Sequence, residues 1–183
     1  MTGTDTIPPE GGTTNPMRKT KDFQGKLLIS ITDGKNLGEV KDIYLDKDCT
    51  EVVAVYLGKT GLISRKAQLI HIDQIRLFGV DAWLVNGSDK VTNKDEVAGA
   101  DQFLLADDLR GRLIQTDGQT KIGTVGDFLV DEKLKVLGFA LDKVHVEGPI
   151  ADAKAIARAA VTSLGDPLIA ALEQAERLTI GGQ

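Results

Sequence analysis

The sequence predicts a mainly β protein: two tandem small β-barrels followed by a C-terminal helix at about 167–178. Three observations predict it. Short runs rich in β-branched and aliphatic residues recur between turn signals. Glycine is plentiful, at 20 of 183 residues, as turn-rich β structure requires. Above all, a ten-residue pattern occurs twice, 85 residues apart, from Leu37 and again from Ile122.

The first copy is patterned from Phe23. Leu27-Leu28-Ile29-Ser30-Ile31 reads as an apolar strand, and Asp33-Gly34-Lys35-Asn36 as a turn. Residues 37–46 alternate apolar and polar, with Val40, the region of Ile43, and Leu45 on the buried side and a slip near Asp42. Lys47-Asp48 makes another turn. Val52 to Leu57 suits a buried strand, and Gln68 to Ile72 and Ala82 to Val85 read as two more. Gly58-Lys59-Thr60-Gly61 lacks the first glycine of a phosphate loop and reads as a hairpin turn.

The second copy follows in the same order. Leu109-Arg110-Gly111-Arg112-Leu113-Ile114 matches Phe23-Gln24-Gly25-Lys26-Leu27-Leu28, and Asp117-Gly118 matches Asp33-Gly34. Ile122 to Asp131 matches Leu37 to Asp46, and Lys135 to Leu141 matches Glu51 to Leu57. The shared string is apolar-Gly-x-Val-x-Asp-apolar-x-apolar-Asp. It defines a structural turn motif of Asp33, Gly34, Gly38, Asp42 and Asp46 in one copy and Asp117, Gly118, Gly123, Asp127 and Asp131 in the other. Glycine there permits positive φ or close backbone approach, and aspartate bonds its own backbone in turns.

The boundaries that follow are a disordered tail at 1–21, a first domain at 22–92, a linker at 93–106 and a second domain at 107–180. The tail holds Ile7-Pro8-Pro9, Asn15-Pro16 and a basic cluster of Arg18, Lys19 and Lys21, expected in solvent. The second copy departs from the first near its end. There Asp166-Pro167 opens Leu168 to Ala175, with Asp at an N-cap, Pro at the first helical position, and Leu168, Leu172 and Ala175 on one helical face.

These strings resemble the PRC-barrel family, in both copies, over about 23–91 and 107–178. The resemblance implies a small barrel of five or six short strands in each half. It also implies a role in protein contact and assembly, because family members include the cytoplasmic domain of the photosynthetic reaction-centre H subunit, the C-terminal domain of a ribosome-maturation factor and archaeal cell-division adaptors. The expected function is a non-enzymatic adaptor serving a membrane-associated complex from the cytoplasmic side. A ribosome- or RNA-processing factor and a small-ligand or ion-binding module stand as alternatives.

Charge and composition narrow these classes. The formal net charge is −5, which disfavours broad binding to nucleic acid. The chain lacks GxSxG and HExxH patterns, and His71 and His145 have no second ligand at metal spacing. No catalytic, cofactor-binding or metal residues are therefore assigned, and no cofactor is expected. His71 is expected to be structural, and Trp83 to pack in the core. The aspartates of the turns are too sparse for a calcium loop. A lone cysteine, Cys49, fits a reducing compartment, and no signal-peptide pattern precedes it, so a cytoplasmic protein is expected. Arg65, Lys66 and Arg76 form the candidate contact surface. Each half is small for an independent core, so the halves are expected to pack together or the chain to dimerise. The protein partners are left unnamed, and membrane contact is expected to be peripheral at most.

Overall fold

A computed structural model describes residues 17–63 and 65–171. β1 (Arg18–Lys19) and a 3-10 turn at Thr20–Phe23 lead into the first half. There follow β2 (Leu27–Ser30), β3 (Asn36–Glu39), β4 (Asp42–Leu45), β5 (Val52–Thr60), β6 (Lys66–His71), β7 (Ile75–Phe78) and β8 (Ala82–Val85). Short strands β9 (Thr92–Asn93) and β10 (Leu104–Leu105) and helix α1 (Ala106–Leu109) bridge to the second half. That half holds β11 (Leu113–Thr116), β12 (Lys121–Val130), β13 (Val136–Val144), helix α2 (Pro149–Ala153), β14 (Ala155–Ala157), β15 (Val161–Ser163) and β16 (Leu168–Ala170).

The strand order is the same in both halves. In the first, one sheet runs β3-β2-β8-β7 and another β10-β4-β5-β6-β9, with β3 leading directly into β4. In the second, a single sheet runs β14-β13-β12-β11-β16-β15. Here β12 does the work of β3 and β4 together, with register shifts on either side of Val125 where the first half breaks at Val40-Lys41. The parallel pair β2–β8 has its counterpart in β11–β16, register Ile114 to Leu168.

This pairing corrects the expected helix at 167–178. Leu168–Ala170 is a strand, with Leu168 and Ala170 buried and Ile169 half-buried, the alternation of a sheet. The unpaired edge of β11 outweighs the local helix signal, because a buried ladder edge must be satisfied. Residues 172–178 of that expected helix lie outside the described residues. Pro149–Ala153 and Ala106–Leu109 are the α-helices among the described residues, and both are short.

Three further expectations shift. Gly58-Lys59-Thr60 is not a hairpin turn: all three residues pair with β6, at Gln68, Ala67 and Lys66, so the reversal begins at Gly61. The expected tail is ordered at its end, since Arg18 and Lys19 pair with Val130 and Leu129 of β12. The stretch 93–106 carries β9 paired to β6 and β10 paired to β4.

The buried side chains of both halves form one continuous apolar cluster. It includes Leu28, Ile43, Val55 and Trp83 of the first half and Ile114, Phe128, Phe139 and Leu168 of the second. Trp83 is buried, with Phe23 at 5.2 Å and Phe78 at 4.8 Å, both edge-on. A smaller cluster of Tyr44, Ala54 and Leu69 lies on the other face of β4–β6.

Candidate contact surfaces and the joint between the halves

The turn motif divides into two kinds of residue. Asp46 and Asp131 are turn residues. Asp46 accepts from the Thr50 and Glu51 amides at 2.6 and 3.0 Å, and Asp131 from those of Lys133 and Lys135 at 2.8 and 2.9 Å. Burial alone would push Asp46 up; the Thr50 hydroxyl and the amides of Glu51 and Thr50 outweigh it and hold the carboxyl below its ordinary range. Asp33 accepts from the Lys35 amide at 3.1 Å and from the Ser88 hydroxyl at 2.9 Å. Gly34 takes φ +70° and Gly38 φ +117°. Asp117 and Gly118 lie in the exposed turn between β11 and β12. Gly123 sits against the backbone of Lys143, where a Cβ would collide with its carbonyl oxygen.

Asp42 and Asp127 are different, and the turn assignment is corrected for both. Each lies in a strand and is buried. They are buried because the segment preceding each half crosses to cover the other. Thr20 and Lys21, ahead of the first half, bond Asp127 through the Thr20 hydroxyl (2.5 Å) and the Lys21 amide (3.0 Å). The Asp107 amide, ahead of the second half, bonds Asp42 at 2.9 Å. Between the carboxylates sits Arg110, with Nη1 3.0 Å from Asp42 and Nη2 3.4 Å from Asp127. The guanidinium faces the Phe128 ring, 6.0 Å from its centroid.

The second contact between halves is reciprocal. Val52 donates its amide to Leu134 at 3.0 Å, and Val136 donates to Thr50 at 2.8 Å, while Lys135 and Glu51 form an ion pair beside them. Arg158 reaches across to the carbonyls of Asp48 and Cys49, at 2.6 and 3.1 Å. Cys49 beneath it is fully buried at φ +53°, and burial pushes its thiol up to about 12. Sequence reasoning missed this joint. Its signal was the Arg110 that stands where the first copy has Gln24, opposite two repeated aspartates.

The candidate basic surface is not one patch. Arg65 and Lys66 line a groove of about 690 Å³ with Lys94, Asp95 and Asp101, and Lys66 pairs with Asp95 at 3.1 Å. Arg76 lies on β7, exposed, in the other sheet of the first half. His71 is partly exposed, and its Nδ1 accepts from the Asp73 amide at 3.4 Å. No cluster of three or more His, Cys, Asp or Glu side chains is placed to hold a metal among the described residues. Nor is any described helix long and apolar enough to cross a membrane.

One apolar face was not anticipated. Outward-pointing Leu27, Ile29, Ala82, Leu84 and Leu77 stand in register across β2, β8 and β7, with Leu27 40% and Leu77 55% exposed. The corresponding positions on β11, β16 and β15 are Leu113, Gln115, Ile169 and the exposed Thr162 and Ser163. The apolar face belongs to the first half alone.

The fold is mainly β, built from short strands in two halves that share one strand order. A family model described as "PRC-barrel domain" matches residues 16–91. An uncharacterized protein of Clostridium acetobutylicum is 38% identical over 72 residues, covering 37% of this chain and 83% of that relative. The chain belongs to the PRC-barrel family.

Proposed function

We propose that this chain is a non-enzymatic assembly adaptor made of two PRC-barrel modules, the second at about 107–171 of the described residues. The recurrence of strand order and of the Gly-x-Val-x-Asp string supports the second module. The observation that carries the adaptor reading is the apolar face of Leu27, Ile29, Leu84 and Leu77. Large contiguous apolar patches on a protein's exterior mark sites of contact with other proteins or membranes. The buried joint fixes the two modules in one orientation, so a partner that seats on the first is held at a set distance from whatever the second touches. The partner is a protein of a membrane-associated complex, met from the cytoplasmic side.

The test is crosslinking in the source cells from a photoreactive residue at position 77, followed by identification of captured proteins. A discrete partner is expected, and Leu84→Asp should abolish its capture while leaving the melting curve of the purified chain unchanged. Capture of nothing but the chain itself, or capture indifferent to Leu84→Asp, would refute the adaptor reading.

A further inference from the structure

Beyond that reading, and on different residues, we infer that the tip of the β5–β6 hairpin is a membrane-docking element that seats on an anionic lipid surface. Leu62 and Ile63 at the tip are fully exposed, at 103% and 101%. No other large apolar side chain among the described residues is as open. Two adjacent aliphatic side chains held entirely in water on a hairpin tip have the amphipathic arrangement of an interfacial anchor.

Charge complementarity identifies the occupant. From Val52 to Ile72 the chain has 21 residues without an aspartate or glutamate, in a protein with 27 of them. That stretch carries Lys59 and Lys66 on the two strands that raise the tip, and Arg65 immediately before the second. Lys59 and Arg65 line one cleft of about 400 Å³ with Lys94, and none of the three has an ion-pair partner among the described residues. Asp108 is the carboxylate in the same cleft. The protein as a whole is acidic, so this hairpin is a local reversal of its charge. An anionic headgroup layer satisfies both halves of the pattern. Its phosphates meet Lys59, Arg65 and Lys94, while its acyl boundary receives Leu62 and Ile63.

The other half shows what the same loop becomes without this role. After β13 the chain carries Glu147, Asp152 and Lys154, and folds into α2, which buries Ile150. The repeated position is there closed over a buried isoleucine, and in the first half basic and open.

The experiment is co-sedimentation of the full chain with phosphatidylcholine vesicles, with and without about 30% phosphatidylglycerol, at about 0.1 M salt, where charges within roughly 10 Å still interact. Binding to the anionic vesicles only is expected. Leu62→Ser with Ile63→Ser should weaken it by about tenfold or more. Lys59→Gln and Arg65→Gln should each weaken it about fivefold. As a second readout, Leu62→Cys carrying an environment-sensitive fluorophore should shift to the blue on the anionic vesicles, Cys49 being buried from the label. No sedimentation with anionic vesicles, equal sedimentation with phosphatidylcholine alone, full binding by the serine variant, or an unshifted probe would each overturn the proposal.

Discussion

Asp42 and Asp127 occupy the same place in two consecutive copies of one motif, and both turn their carboxylates to the single guanidinium of Arg110. The crossing of the segments ahead of each half places them there. Each aspartate also accepts a backbone amide from the segment that opens the opposite half, Lys21 for Asp127 and Asp107 for Asp42. The two halves are thereby joined by charge-assisted bonds as well as by a shared apolar cluster.

Removing the cation should therefore cost more than removing either anion. Arg110→Met leaves two buried carboxylates facing each other, a loss of about 3–5 kcal/mol. Asp42→Asn retains an acceptor for Asp107 and should cost about half as much. Urea unfolding of the two variants checks the order. Equal, small losses would mean that water already screens the joint.

The repeated glycines of the motif should not behave alike. At Gly123 an added Cβ collides with the Lys143 carbonyl across the β12–β13 ladder, so Gly123→Ala should lose about 1–3 kcal/mol. At Gly118 the nearest atom to an added Cβ is Thr116 Oγ1, at an ordinary 3.8 Å, and φ is not positive. Gly118→Ala should stay within about 0.5 kcal/mol. Thermal melts of the two variants separate these outcomes.

Strand content was legible because it is written locally. β8 falls on Ala82–Val85 as the alternation predicts, and the turn aspartates Asp46 and Asp131 bond their own loops. What was not legible depends on pairing at a distance. Leu168–Ala170 has a good helix start but becomes a strand because β11 has an open parallel edge. Arg18 and Lys19 look like tail until β12 supplies a partner. The apolar face of Leu27, Leu84 and Leu77 assembles from three strands separated in sequence, so no window along the chain contains it.

Acid should weaken the protein partly through Asp46. Its folded carboxyl titrates below its ordinary range, because Thr50 and Glu51 donate to the ionised form. The folded state thus holds the proton less tightly than the unfolded chain. The stability this contributes is present above the unfolded value of about 4, and is lost as pH falls through the folded value. Asp46→Asn should lower stability at pH 7 and flatten the dependence below about pH 4. Chemical denaturation at pH 7 and pH 3 reads both. An unaltered acid limb would exclude Asp46 as a contributor.

Cys49 offers a reporter of the joint itself. Its thiol is buried and pushed up to about 12 by that burial, so almost no thiolate exists near neutrality in the folded state. Labelling by a disulfide reagent at pH 8 should run on the order of a thousandfold slower than in the denatured chain, because it waits for local opening. The loop that covers Cys49 is held from the second half by Arg158, on the carbonyls of Asp48 and Cys49. Arg158→Met removes those bonds, each worth roughly 1 kcal/mol or more, and should speed labelling by about tenfold. If labelling accelerates while the global unfolding curve barely moves, the loop opens as a unit and Arg158 is its clasp. If labelling stays slow, the apolar packing around Cys49 holds the loop without Arg158.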